Sequence, residues 1–534
     1  MGEDRVLKVI ERWADRETNS KKFNEVFKVD GIPVWYFLGS LLKGAYLPRP
    51  FKTSAEIEEE MRSNRTPTGF GDLKSNLIHL GLRKGLWINE RIKWRISSAK
   101  RKKAGEKDVL FLGYTNEVTQ GKRGELRPIG FHDVIDTLNE RGVKPLVLFC
   151  DPISANSFGG LLKFENLLYS YIDPEIIKES RKLSRELNQE WKKISEGKKA
   201  ELFTFDGKKY WRFMKSELNF LFSREMLATL ITYYLTFKKI VESHKIKLIF
   251  LVSLGGFYES LLLGVAYKLN KKVIYSAHGY GGRYFIVSGK LVENVFFAAW
   301  GNEEKGKLLR LGIKKENIFI TGSPLFDIIA KYKSKKEKPK TGKVTTLITQ
   351  PLVEDKYVGK REYFNYIQKF LIQIAKVKNI AQIIIKLHPR EKYKSHYESI
   401  AKSLGLKNVS VTQELGKDAL YSILGGSDLL VSTGSTTDIE GMMLDKDVVV
   451  IEGLTKGPLA ELAKKDRYRK AVVVIDKDDD LASMITKIFT NKDLRKTLRQ
   501  KRHKYLVNSF YRTDGKAHER VADLILRLIK QERG

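Results

Sequence analysis

The stretch 429–452, LLVSTGSTTDIEGMMLDKDVVVIE, leaves few folds open to the chain. An apolar run ends in a turn of small and hydroxyl residues, Ser432-Thr433-Gly434-Ser435-Thr436-Thr437. A helix opens near Asp438-Ile439-Glu440, and a second apolar run follows at 448–451. Strand, helix and strand at this spacing form a crossover that packs its helix on a parallel sheet. The turn also suits an anion, because the N–H groups of a first helical turn lack intrahelical partners and carry the positive end of the helix dipole. Ser and Thr hydroxyls add donors. The same residues serve equally as an ordinary helix cap. A second stretch, IIIKLHPR at 383–390, reads as a strand ending in His388 and Pro389 with Lys386 and Arg390 as flanking cations, and it favours the anion.

The alternation recurs along the chain. Strands are predicted at 109–114, 145–150, 247–252, 272–276, 295–300 and 317–321, then at 344–349, 381–386, 409–411, 428–431, 448–451 and 472–475. Helices are predicted between them, at 131–141, 258–269 and 362–377, and a largely helical insertion at about 157–244 has Trp191, Tyr210 and Trp211 as expected core. The tail from 481 reads as helical and basic. The fold class is therefore α/β, with two doubly wound Rossmann-like domains in series. The expected organisation is a helical basic N-terminal region at 1–105, a first domain at 106–330, a lysine-rich linker at 331–343, a second domain at 344–515 and a C-terminal helix at 516–534.

At 534 residues the chain is long enough for two independent cores, and its apolar content of 42% excludes a disordered protein. One cysteine, Cys150, excludes an intramolecular disulfide and fits a reducing compartment. The charged start MGEDRVLKVIERWADRE predicts no secretory signal, and no apolar run reaches spanning length. The expected location is cytoplasmic, peripheral on the inner face of the cell membrane. The abundance of Lys and Glu beside a single Cys is the composition of heat-stable proteins.

A formal net charge of +34 predicts an acidic partner. Its placement points to an anionic membrane surface: residues 83–107 carry ten Lys or Arg against two acids, with Trp87 and Trp94 among them, and Trp35 lies upstream in Val34-Trp35-Tyr36-Phe37-Leu38. Rings at headgroup level and cations on anionic lipid are what an interfacial segment needs. A solvated helical face with its aromatics packed inward is the alternative. No RNA- or DNA-binding module motif occurs, so nucleic acid is not an expected partner.

In open parallel sheets ligands sit outside the carboxyl ends of the strands. His278, His388, Gly322-Ser323 and Ser432 to Thr436 all fall at predicted strand ends, which points to one cleft between two facing domains. The chain has no DxD at a strand end and no CxxC, HExxH, Walker A or G-x-S-x-G sequence, so neither a metal nor a cofactor is expected. Asp478-Asp479-Asp480 precedes a helix and reads as a cap.

The series SAHGYGG (276–282), AAWGNEEKGKLLRLGI (298–313), ITGSPLFDII (320–329), KLHPRE (386–391) and STGSTTDIEGMMLDKDVVVIE (432–452) resembles, in that order, GT-B-fold transferases of surface polymers. These include capsule glycosyltransferases and CDP-glycerol glycerophosphotransferases. The series is also similar to UDP-N-acetylglucosamine 2-epimerases. It departs from the common pattern at Asp445-Lys446-Asp447, where a Gly-x-Pro usually precedes the strand. The resemblance implies a CDP-, CMP- or UDP-linked donor and a lipid-linked or glycan acceptor. It implies that Glu440 holds ribose hydroxyls and that His278 is the general base, with Glu259 as the alternative. Lys386, His388, Arg390, Gly322, Ser323, Ser432, Thr433, Ser435 and Thr436 are the expected donor and phosphate ligands. Without a metal, helix N-termini, hydroxyls and cations must neutralise the departing phosphate. The expected function is metal-independent transfer from a nucleotide-activated donor. The alternatives are a nucleotide-sugar 2-epimerase and a non-catalytic membrane- or RNA-binding protein.

Overall fold

In a computed structural model, residues 16–18, 21–38, 105–113, 118–120, 126–128, 131–150, 166–205, 208–209, 211–277, 289–333, 342–355, 357–414, 416–454 and 466–531 are described. They form two compact units: residues 1–298, 313–319 and 518–534 contribute to the first, and residues 299–312 and 320–517 to the second.

In the first unit, short, largely buried apolar runs become strands, as expected when helices cover both faces of a parallel sheet. They are β1 (Val109–Gly113), β2 (Pro145–Phe149), β3 (Leu248–Leu251), β4 (Lys272–Tyr275), β5 (Val295–Ala299) and β6 (Ile318–Ile320), in the order β6-β5-β4-β3-β1-β2. The pairs β1–β2, β1–β3, β3–β4 and β4–β5 are parallel. Helix α1 (His132–Glu140) packs Val134, Ile135 and Leu138 onto Phe111 and Phe250. The C-terminal helix Ala517–Lys530 joins that layer through Val521, Ile525 and Leu528. The insertion supplies α2 (Pro174–Lys193), capped by Asp173, and α3 (Arg224–Ser243), capped by Ser223; α3 packs on both α2 and α4 (Phe257–Lys268).

Trp191 and Trp211 are buried as expected, while Tyr210 lies outside the described residues. The expectation of interfacial rings in residues 1–105 is corrected at Trp35. Its side chain is 1% exposed, edge-on to Phe23 at 5.6 Å, in a cluster with Phe203, Trp191 and Phe222. The cause is amphipathic: Phe23, Phe27, Val34, Trp35 and Phe37 have a helical insertion to cover, and burial stabilises them more than a headgroup layer could. Asp30 ties the same segment to Lys238 at 2.7 Å and Lys268 at 3.3 Å. Trp87 and Trp94 lie outside the described residues. Among the described residues, no helix is long and apolar enough to cross a membrane.

The second unit holds β7 (Lys343–Ile348), β8 (Ile380–Lys386), β9 (Val409–Thr412), β10 (Leu429–Ser432), β11 (Asp447–Glu452) and β12 (Val473–Asp476). All five pairs are parallel, in the order β9-β8-β7-β10-β11-β12. The strand order reverses between β7 and β10, the position at which doubly wound sheets bind ligands. Helices α5 (Lys360–Ala375), α6 (Lys394–Ser403) and α9 (Leu481–Thr490) bury their apolar stripes in one core on this sheet. Between α6 and α9 come α7 (Lys417–Gly426) and α8 (Thr436–Met443). Asp480 caps α9 by accepting the Ser483 N–H, and α10 (Lys492–Phe510) follows.

Candidate nucleotide-phosphate site

Three loops leave the carboxyl ends of neighbouring strands in the second unit. After β8, Lys386 is 6% exposed, and its ammonium donates to the Leu387 carbonyl at 2.8 Å. Burial lowers its pKa. His388 Nδ1 accepts the Arg390 N–H at 3.1 Å, so Nε2 carries the proton of the neutral ring and is a donor. Burial first, then the Arg390 cation, pull its pKa below the usual value and keep it neutral. Arg390, expected as a phosphate cation, instead makes a two-pronged pair with Asp355 at 2.7 and 2.9 Å.

The loop is held from beneath by Glu391, which is 5% exposed. Its carboxylate accepts the His388 N–H at 2.6 Å, the Tyr397 hydroxyl at 2.5 Å and the Thr349 hydroxyl. Burial raises its pKa against these bonds. Gln413 clasps the loop from outside, donating to the Glu391 carbonyl at 2.6 Å.

After β10 the chain turns at Gly434, whose φ of 91° is open to glycine at little cost. Ser435 and Asp438 then form a capping box at the start of α8. Ser432 Oγ accepts the Gly434 N–H at 3.0 Å, Asp438 Oδ2 accepts the Ser435 N–H at 2.7 Å, and Ser435 Oγ accepts the Thr437 N–H at 3.2 Å. The Asp438 N–H returns to the Ser435 carbonyl at 3.0 Å. The expectation of unpaired first-turn amides is thus corrected: the cap takes those of Gly434, Ser435, Thr437 and Asp438, and Thr436 stands at the first helical position. Thr436 is also exposed. Asp438 is fully buried and accepts the Tyr468 hydroxyl at 2.8 Å, and burial pushes its pKa up to about 6.

The loop after β7 joins these two ends. The Thr349 N–H donates to the Lys386 carbonyl at 3.1 Å. Gln350 Nε2 donates to the Gly434 carbonyl at 2.6 Å and to Thr433 Oγ1 at 3.2 Å. Sequence reasoning missed Thr349, Gln350 and Glu391. The place of Thr349-Gln350 at the end of a predicted strand, on the same footing as His388 and Ser432, was the signal available.

Glu440 lies one turn into α8 and accepts the Tyr421 hydroxyl of α7 at 2.8 Å; burial, then that carboxylate, raise the tyrosine pKa. Gly322 has a φ of 78°, and Ser323 is 5% exposed with its hydroxyl unpartnered among the described residues. The 3-10 turn that follows, Pro324–Ile329, packs against α8. The second unit therefore gathers ten of the expected residues: Gly322, Ser323, Lys386, His388, Arg390, Ser432, Thr433, Ser435, Thr436 and Glu440. Glu259 belongs to the first unit, 2% exposed in the first turn of α4, with its carboxylate folded back where a side chain on Gly256 would stand. His278 lies outside the described residues.

Residues 294–526 match the family described as UDP-N-acetylglucosamine 2-epimerase, a span of less than half the chain that includes all ten of these residues. No curated protein matches the chain. Solved structures similar to it include UDP-GlcNAc 2-epimerase from Neisseria meningitidis bound to UDP-GlcNAc, at 12% identity over 79% of this chain and 100% of that one, with a TM-score of 0.47. MurG from Acinetobacter baumannii is 12% identical over 79% of this chain and 99% of its own, with a TM-score of 0.41. The wall teichoic acid polymerase TagF is 14% identical over 59% and 77%, with a TM-score of 0.35.

Proposed function

We propose that the chain is a nucleotide-sugar enzyme of the GT-B type, and that the second unit holds the nucleotide phosphate of the donor between the Lys386–Glu391 loop and the Ser432–Thr436 turn. The observation that carries this reading is the tie made by Thr349 and Gln350 between two donor-bearing strand ends at the reversal of a doubly wound sheet. The family match over residues 294–526 supports it.

In the reading we favour, the reaction is transfer to a lipid-linked or polymeric glycan acceptor. The bond from the transferred group to the nucleotide phosphate breaks, its electron pair stays on the phosphate, and the acceptor oxygen takes the vacated position. His388 Nε2–H, the Thr436 amide, the Ser435 and Thr436 hydroxyls and the Lys386 ammonium offset the charge that develops, without reorganising during the step. Glu440, oriented by Tyr421, accepts ribose hydroxyls. The acceptor proton goes to His278 or, failing that, Glu259. The family match favours a second reading, inversion at C2 of a UDP-sugar.

Calorimetry with UDP, CDP, CMP and GDP tests the site. One of them binds, and at a hundredfold excess over its dissociation constant stabilises the fold by about 2.7 kcal/mol. His388→Ala and Ser435→Ala each weaken it; wild-type affinity in both variants puts the site elsewhere. Following UDP-GlcNAc by NMR separates the readings, since transfer or hydrolysis releases nucleotide whereas epimerisation returns a UDP-sugar with C2 inverted.

A further inference from the structure

The structure assigns Gln350 as the positioning residue of the phosphate-binding turn, the part that sets the Gly434–Ser435 peptide for the nucleotide; this rests on the donor-site reading above. A peptide carbonyl and the N–H that follows it point to opposite sides of one planar group. Here both ends are held. The Gly434 carbonyl accepts from Gln350 Nε2 at 2.6 Å, and the Ser435 N–H donates to Asp438 Oδ2 at 2.7 Å. The plane needs such a clamp, because Gly434, with a φ of 91°, has no side chain to limit its rotation. What the plane orients is the start of α8, with the Ser435 and Thr436 hydroxyls and the Thr436 amide.

Gln350 does not contact the ligand through its amide nitrogen. Both Nε2 hydrogens are engaged, the second by Thr433 Oγ1 at 3.2 Å, and the residue is 9% exposed. It therefore acts through the turn. Its neighbour Thr349 is bound to the Lys386 carbonyl and to Glu391, so the clamp is anchored to the other half of the site. A turn held in its binding geometry before the ligand arrives spares the ordering cost on binding.

The test uses the full-length protein and whichever of UDP, CDP, CMP and GDP the wild type binds. Gln350→Met keeps the length of the side chain and removes both donors. The dissociation constant rises about tenfold, the scale of one well-made hydrogen bond. A merely structural glutamine lowers the unfolding midpoint of the free protein and leaves the affinity of the folded protein unchanged. Folded Gln350→Met that binds within twofold of wild type therefore overturns the assignment. Should that variant not fold, Thr433→Val removes one acceptor of the amide, and about threefold weaker binding is expected; unchanged affinity there overturns it equally. In a cycle with Asp438→Leu, which removes the acceptor of the Ser435 N–H, the second loss is smaller once the first clamp is gone, whereas additive losses assign the two side chains to separate tasks and overturn the clamp. Wild-type protein that binds no nucleotide removes the donor-site reading, and this inference with it. Binding that His388→Ala weakens and Gln350→Met does not removes this inference alone.

Discussion

Asp438 is a carboxyl with no exposure to water at the first turn of a helix, where the dipole favours a negative charge but burial does not. Burial wins, and its pKa rises from 3.8 to about 6. The folded state therefore holds this proton more tightly than the unfolded chain does. The stability so gained is complete below the unfolded value and is lost as pH rises through about 6, a window worth up to about 3 kcal/mol. Asp438→Asn has no such titration. Denaturant unfolding of both proteins at pH 5 and pH 7.5 shows wild type losing stability relative to the variant over that interval. A difference that stays constant between the two pH values contradicts the assignment. Since Asp438 also holds the Ser435 amide, the turn proposed to bind the nucleotide carries this strain at neutral pH.

At the scale of elements, strand positions were legible and their partners were not. The run predicted at 428–431 is Leu429–Ser432, that at 448–451 is Asp447–Glu452, and the helix predicted at 362–377 is Lys360–Ala375. Buried strands and amphipathic helices write their own periodicity into the chain. Strand order is set by contacts distant in sequence, so the reversal between β7 and β10 could not be read, and the strand-end position of Thr349 and Gln350 did not tell which groups they bind. The same holds for Arg390, whose partner Asp355 lies 35 positions earlier. It holds also for Asp445-Lys446-Asp447, where the sequence departs from the Gly-x-Pro of the proteins it resembles. Asp445 takes a φ of 62°, a conformation glycine adopts most readily, and its carboxylate binds Arg502 at 2.6 Å and Arg499 at 2.9 Å. Asp447, opening β11, binds Arg502 and Arg495, each at 3.1 Å. The departure thus locks α10 onto the sheet. Arg502 is 3% exposed, and its removal strands Asp447 in a buried position. Arg502→Met should cost about 3 kcal/mol, with Arg495 retaining part of the interaction. Chemical denaturation measures the loss, and nucleotide affinity should be unchanged; a cost below about 1 kcal/mol, the range of exposed pairs, contradicts the lock.

At the scale of the whole molecule, a net charge of +34 favours association with something acidic, and the proposed lipid-linked acceptor would make docking on an anionic surface useful because it would confine enzyme and acceptor to one plane. The fold changes how that proposal must be tested. Removing residues 1–105 would strip Phe23, Phe27 and Trp35 from an aromatic core completed by Trp191, Phe203 and Phe222, and a single such truncation costs about 3–5 kcal/mol. Lost binding in the deleted protein would then report unfolding. The informative residues are Trp87 and Trp94 with the cations around them, Lys84, Arg91, Lys93 and Arg95. Each cation near anionic lipid contributes about 1 kcal/mol, and salt screens it within a Debye length of about 8 Å at physiological ionic strength. We expect the full-length protein to sediment with anionic liposomes and not with neutral ones, and less so as salt is raised. Trp87→Ser with Trp94→Ser should weaken this at constant salt while leaving the unfolding midpoint in place. If both liposome types bring down equal amounts of protein, or neither brings down any, the charge is a solvated surface and docking is excluded. If the double variant sediments as wild type does, any docking surface lies elsewhere on the molecule.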